Sequence, residues 1–378
     1  MGAEVTIATA EQFLRSTRAA DRATAAEYLA NFCLNADTPA DERHAAECAL
    51  TLLADDPSPK VRAAIAAALA GSRRAPLHIV LHLAKDQPSV AGSLLLRSPL
   101  LGEGDLIELA ATLDANGQAM LARRPSLSAG VAAALCELGA LEAVIELARN
   151  DDADILPWCF RRMVERFGTD GELREILIRD PRLPVDCRHT LLATLGDVLR
   201  QSPFVQALIG TDRAAKVTRD ACARSSVSLI DVSRPAEFAS LVERLRQSGE
   251  LTTSLVLRCL AASKVEFFIH LTAHLASLPQ DRVRSLIVSG RDLTLAALFD
   301  KVGLVPAIHS PLIAAIHLWR DGKRGGHICG PRETSQAMID CLMKSTEPQS
   351  VAIVSLLRQI QSDMIRASAI ETSRSIAA

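Results

Sequence analysis

Residues 52–69, LLADDPSPKVRAAIAAAL, constrain the fold more than any other stretch of this chain. Asp55-Asp56-Pro57 closes one apolar run and Ser58-Pro59 opens the next. Pro59 suits the first helical position, where its missing amide would have no partner anyway, and Ser58 is placed to cap that turn. Val61, Ile65, Ala68 and Leu69 follow at the three-and-four spacing of one helix face, while Lys60 and Arg62 fall on the solvated side. The intervening alanines let a neighbouring helix come close. So narrow an apolar stripe needs a partner helix on each flank, which is the logic of stacked helical pairs.

Composition agrees. Of 378 residues, 49% are hydrophobic but only 3% aromatic, so core volume must come from Ala, Leu, Val and Ile, as in packed helices. No Asn-Gly or Asp-Gly turn lies between alternating runs. The expected fold is all-α. Residues 1–202 read as an α-solenoid of HEAT-like helical pairs, and residues 203–378 as a less regular helical region that continues or caps it.

The pairs can be followed along the chain. Thr38-Pro39 reads as a helix start, with Thr38 as the cap. Arg124-Pro-Ser-Leu-Ser128, leading into Val131 and Leu135, recurs as Asp180-Pro-Arg-Leu-Pro184, leading into Cys187 and Leu191. The offset is 56 residues, two units of ~28. Leu127 and Leu183 are expected to plug the gaps between successive pairs. Beyond Ser202-Pro203 the pattern loosens. Residues 212–226 read as a helix with a basic side of Arg213, Lys216, Arg219 and Arg224, and longer helices follow from Pro235. Residues 320–332 are glycine-rich and read as an exposed loop. The last helix, 349–367, reads as a cap with a polar outer face.

Three motifs in order, Arg97-Ser-Pro-Leu-Leu101, Ala122-Arg-Arg-Pro-Ser-Leu-Ser128 and Asp180-Pro-Arg-Leu-Pro184, are more specific than a generic repeat. Through them the chain resembles the bacterial family called domain of unknown function 2336 over roughly residues 50–200. Gly249-Glu-Leu-Thr252, Phe267-Phe268 and Lys301-Val-Gly-Leu304 look like the region that often follows in that family. The resemblance implies a HEAT-repeat-like protein of unassigned activity. It carries over no catalytic motif and no cofactor.

The net charge of −2 and a pI near 6.5 provide no global field for nucleic acid or anionic lipid. The nine cysteines show no CxxC pair. Most of them, including Cys33, Cys48, Cys136 and Cys259, lie in apolar helical stretches, as expected of reduced, buried thiols in a cytoplasmic protein. No apolar run reaches the roughly 18–20 residues of a membrane span. Residues 304–318 come closest, broken by Pro306, Pro311, His309 and His317.

Few residues present chemistry. His78 and His82 stand four apart on a helix, as do His270 and His274, with Glu266 one turn earlier; such spacing can place two or three ligands toward one metal ion. Packing or hydrogen bonding between helices explains the same residues, and no HExxH accompanies them. Lys323, Arg324, His327 and Arg332, ahead of a helix, could hold a phosphate or carboxylate. The stretch matches neither GxxxxGK[ST] nor a strand-linked GxGxxG, and a solvated loop accounts for it. The basic side of residues 213–224 has Asp212 and Asp220 interspersed, as in an ordinary solvated face. Cys187 and His189 are two apart and do not face each other. No GxSxG is present.

These features favour a non-enzymatic scaffold with a protein or peptide partner. A nucleic-acid protein, including a base-excising enzyme, would need a basic groove, a catalytic carboxylate and aromatic stacking, and only Trp158 and Trp319 are available as tryptophans. A metal- or phospho-ligand-responsive protein would rest on the histidine pairs or on residues 320–332.

Overall fold

The computed structural model describes residues 16–324, 329–344 and 348–377. Among them are twenty-two α-helices, two single 3-10 turns and no strand. They form two compact units, residues 1–183 and 184–378. The unit boundary thus falls before the turn at Ser202-Pro203, because the helix preceding that turn packs with the helices that follow it.

The first unit contains α1 (Ala19–Leu34), α2 (Ala40–Leu53), α3 (Pro59–Leu69), α4 (Leu77–Ala84), α5 (Pro88–Arg97), α6 (Glu103–Thr112), α7 (Ala115–Ala122), α8 (Ala129–Leu138), α9 (Leu141–Arg149), α10 (Pro157–Phe167) and α11 (Gly171–Arg179). Packing alternates along the chain. α1, α3, α5, α7 and α9 each pack on the next odd-numbered helix, and α6 and α8 each pack on the next even-numbered one in a second layer. Proline begins α3, α5 and α10, and Asp114, Ser128 and Asp170 cap α7, α8 and α11 through their side chains. Val61, Ile65 and Leu69 are fully buried, as their spacing predicts, and Leu127 and Leu183 are buried at the turns. Each such side chain contributes about 1.5–3 kcal/mol of hydrophobic burial.

Register between successive helices is set by side chains that satisfy a neighbour's backbone or turn. Arg22 of α1 grips Asp56 through two hydrogen bonds of 2.8 and 3.0 Å. Arg22, opposed by burial and aided by the Ser58 amide, holds the Asp56 carboxyl below its usual range. Arg62 of α3 grips Asp86 in the same way at 2.5 and 3.0 Å, and donates to the Asp56 carbonyl. Arg124 then donates to the carbonyls of Leu95 and Ser98 at the end of α5. Asn150 donates to Ala122 and Arg124 at the end of α7, and Arg182 to Asn150 and Ala153 after α9. In the second layer Arg166 of α10 donates to Cys136 and Gly139 at the end of α8. The last carbonyls of a helix have no partner within it, and a cation or amide from the next pair supplies one.

Three expectations are corrected. Arg62 is half-buried and paired rather than solvated. Ser58 makes no side-chain cap; the Asp56 carboxylate accepts the Ser58 amide instead, at 2.8 Å. Thr38 does not cap α2, because its hydroxyl donates to the Phe32 carbonyl behind it.

The second unit contains α12 (Val185–Gln201), α13 (Pro203–Ile209), α14 (Thr211–Val232), α15 (Phe238–Gln247), α16 (Thr253–Ala261), α17 (Val265–Ala276), α18 (Gln280–Ser289), α19 (Asp292–Val302), α20 (His309–Arg324), α21 (Pro331–Met343) and α22 (Pro348–Ala377). Here two helices are enclosed by the rest. α16 packs on α14, α17, α20, α21 and α22, and all its residues from Leu255 to Ala261 are buried. α17 packs on α15, α16, α18 and α19, which explains why adjacent Phe267 and Phe268 are both fully buried. Phe268 meets Phe299 and Trp319 edge-on, at 6.3 and 6.5 Å between ring centroids.

The glycine motifs of this unit terminate helices. Gly303 (φ +84°) follows α19, and the Leu304 amide reaches back to Phe299. Gly249 (φ +70°) follows α15, and the Glu250 amide reaches back to Leu245. Both are left-handed caps that a side chain would strain. Thr252 then caps α16. Residues 320–332 are not one exposed loop. α20 runs through Arg324, Arg320 donates to the Ile287 and Leu286 carbonyls, and Cys329 is buried.

Candidate interaction surface

The sequence-derived metal candidates are drawn to separate partners. His78 lies 3.0 Å from the Thr51 hydroxyl and His82 lies 3.0 Å from Asp55. Glu266 takes both guanidinium arms of Arg284, at 2.6 and 2.7 Å. His270 meets Gln280 at 2.9 Å and the edge of Phe238, and burial lowers its pKa. His274 meets Glu243 at 3.1 Å. That carboxyl is held at about 2, mainly by Arg246, then by Gln247 and His274. Among the described residues no group of three or more His, Cys, Asp or Glu is arranged to hold a metal ion.

Of the anion candidates only Arg332 lies wholly within the described residues. Lys323 and Arg324 close α20, their side chains lying outside the described residues, as does the whole of His327. Arg332 is exposed near the start of α21. At that start the Gly330 amide donates to Glu333 at 3.1 Å, so a carboxylate of the chain already occupies an anion's place. Cys187 and His189 are buried, and His189 pairs with Glu250 at 3.0 Å. Cys48 is exposed rather than buried, because it sits on the open side of α2. Trp319 is engaged with Phe268 and donates toward the Thr334 hydroxyl, which removes it from the stacking a nucleic-acid reading requires.

A different feature stands out. In the first unit the exposed large apolar residues of the helices come one to a helix, as with Leu52, Leu77, Ile107, Leu138 and Trp158. Scattered single residues of this kind are ordinary. In the second unit six of them, Val198, Leu199, Phe204, Leu208, Ile209 and Val217, fall on three consecutive helices that pack together, α12, α13 and α14. Phe204 is 72% exposed and Leu208 66%. α13, of sequence PFVQALI, has no buried residue at all. Its one polar side chain, Gln206, turns back to the Arg200 carbonyl at 2.9 Å. A concentration of this kind is the usual mark of an interaction site. The sequence signal was present: a seven-residue helix with no polar face has no solvent side, so its apolar residues cannot all be core.

The charges around it are unevenly used. Arg224 pairs with Asp363 at 3.2 Å, and Asp220 accepts Gln359 at 3.2 Å. Both carboxylates approach the buried Arg258 of α16, Asp363 at 3.4 Å and Asp220 at 3.7 Å. The basic side expected over residues 213–224 is therefore divided. Arg224 joins a network inside the unit, while Arg213, Lys216 and Arg219 stay exposed and make no ion pair among the described residues.

The family model described as "Uncharacterised protein conserved in bacteria (DUF2336)" matches residues 90–352. The chain belongs to that family. The match differs from the resemblance seen in the motifs: it begins about 40 residues later and runs through most of the second unit. The repeat at residues 52–69 precedes the DUF2336 region, whereas α12–α14 lie wholly within it. No curated protein and no solved structure matches the chain. No described helix is long and apolar enough to cross a membrane.

Proposed function

We propose that this DUF2336 protein is a non-enzymatic, cytoplasmic scaffold, built in its first unit as a HEAT-like α-solenoid, that holds a protein partner on the α12–α14 surface. The solenoid reading is supported by the next-but-one packing of α1–α11 and by the polar ties from each pair to the next. Free, mostly buried cysteines are in keeping with a reducing compartment. The observation that carries the binding role is α13, a helix without a buried residue that presents Phe204 and Leu208 to solvent.

The test places a photo-crosslinking phenylalanine at position 204 of the full chain in its bacterial cytoplasm, with the exposed Lys60 position as control. The expected result is a discrete adduct with another protein from position 204 alone, lost on Leu208→Asp. The same products from both positions, or an adduct only with a second copy of the chain, would overturn the proposal.

A further inference from the structure

The α12–α14 surface combines apolar exposure with unspent positive charge, and the two together specify more than a generic partner. Phe204 and Leu208 are one helical turn apart on α13, a spacing that meets side chains at i and i+4 of a facing helix. On α14, Arg213, Lys216 and Val217 share a face, so cations border the apolar residues directly. Nearby groups of either sign are already paired: Arg200 with Asp197 at 2.9 Å, Arg224 with Asp363, and Asp220 with Gln359. Arg213 and Lys216 are left over, and Arg219, one turn beyond Lys216, has no carboxylate partner although its Nε donates to the Ala215 carbonyl at 3.1 Å. Asp212 opposes them locally in the first turn of α14, where the helix start favours an acidic residue.

We propose that the α12–α14 surface accepts an acidic amphipathic helix, its apolar stripe on Phe204, Leu208 and Val217 and its carboxylates on Arg213, Lys216 and Arg219. This rests on the scaffold reading above and names the chemistry of the partner. A second copy of the chain is disfavoured, because pairing this face with itself would bring two sets of the same three unpaired cations together. An anionic lipid surface would also be drawn to these cations, and vesicle binding distinguishes it from a helix.

The test uses the full chain and two fluorescein-labelled synthetic helices of about 16 residues, with leucines on one face and either glutamates or lysines on the other. Fluorescence polarisation should show binding of the glutamate helix, weakened by added salt. Phe204→Asp/Leu208→Asp should reduce affinity at least about tenfold, as expected for removal of central apolar anchors. Arg213→Glu/Lys216→Glu/Arg219→Glu should transfer the preference to the lysine helix. All variants carry exposed substitutions, and circular dichroism should show unchanged helicity. Equal binding of the two helices, or a preference that survives charge reversal, would overturn the proposal. So would binding to phosphatidylglycerol vesicles without binding to the glutamate helix, or a concentration-dependent dimer abolished by Phe204→Asp. A position-204 adduct whose partner has no acidic helix refutes this partner class alone, whereas absence of any specific adduct refutes the scaffold reading itself.

Discussion

Asn150→Asp tests whether the polar ties between successive helices hold the first unit in register. The Asn150 amide donates to the carbonyls of Ala122 and Arg124, both at 2.8 Å, while its oxygen accepts the Asp152 amide at 3.0 Å. The substitution is isosteric and keeps that acceptor, so only the donor is lost. Two hydrogen bonds at about 1 kcal/mol each are removed, and two terminal carbonyls lose their partner. A negative charge is also placed at the C-terminal end of α7, which costs about 0.5–1 kcal/mol more. The expected destabilisation is about 3 kcal/mol, and Asn150→Ala, which carries no charge but also loses the acceptor of the Asp152 amide, should cost about as much. The chain has two tryptophans, Trp158 in the first unit and Trp319 in the second. In a Trp319→Phe background, urea unfolding read by Trp158 fluorescence follows the first unit. With a slope of about 2 kcal/mol per molar, the midpoint should fall by ~1.5 M. The introduced carboxyl faces carbonyl oxygens, so its folded-state pKa lies above its unfolded value. Its protonated form is the better tolerated one, and the gap to wild type should narrow as pH falls into the carboxylate range. A midpoint equal to wild type, or a gap to wild type that does not narrow as pH falls, would refute the reasoning.

Two further outcomes are expected in the second unit, read by Trp319 in a Trp158→Phe background. Arg258 is 3% exposed, and its Nε and Nη2 have no hydrogen-bond partner, whereas Asp220 and Asp363 keep Gln359 and Arg224. Arg258→Met should therefore change stability by no more than about 1 kcal/mol, while Asp220→Asn/Asp363→Asn, which strands the buried guanidinium, should cost about 3–5 kcal/mol; the reverse order in urea unfolding would sink this account. Ser277 ends α17 in the left-handed region (φ +52°, ψ +48°) and is exposed. Relieving that strain with Ser277→Gly, less the extra freedom glycine gains on unfolding, should stabilise by about 0.5–1 kcal/mol, and a lowered midpoint would contradict it.

Much of the helical order of the first unit was legible because one physical constraint repeats. Pro59, Pro88 and Pro157 start helices where they stand, and Leu127 and Leu183 are buried at matching turns. What was not legible is which polar residue reaches across. Arg62 looks solvated on its own helix, and only the stacking of α3 on α5 brings Asp86 to it. Ser58 and Thr38 look like caps, yet Asp56 accepts the first amide near one and Phe32 takes the hydroxyl of the other. Helical spacing likewise placed Glu266, His270 and His274 along one side of a helix, but Arg284, Gln280 and Glu243 from neighbouring helices draw them apart. A periodic pattern encodes a face and says nothing of what the opposite helix presents.

That asymmetry bears on where function sits. Along the first unit Arg22, Arg62, Arg124, Asn150 and Arg182 are all used by the pair before or after them. A side chain spent in this way fixes geometry and has nothing left to recognise a partner with. Beyond Arg182 the ties cease to repeat, and α13 and α14 present apolar groups and cations that no neighbouring helix uses. Burial and pairing stabilise a native chain by only a small margin, so leaving several large apolar side chains in water is a standing cost of about 1.5–3 kcal/mol for each that burial would have rewarded. Such a cost is most simply met by a partner that covers them, and the surface is therefore better explained as half of an interface than as an unfinished core.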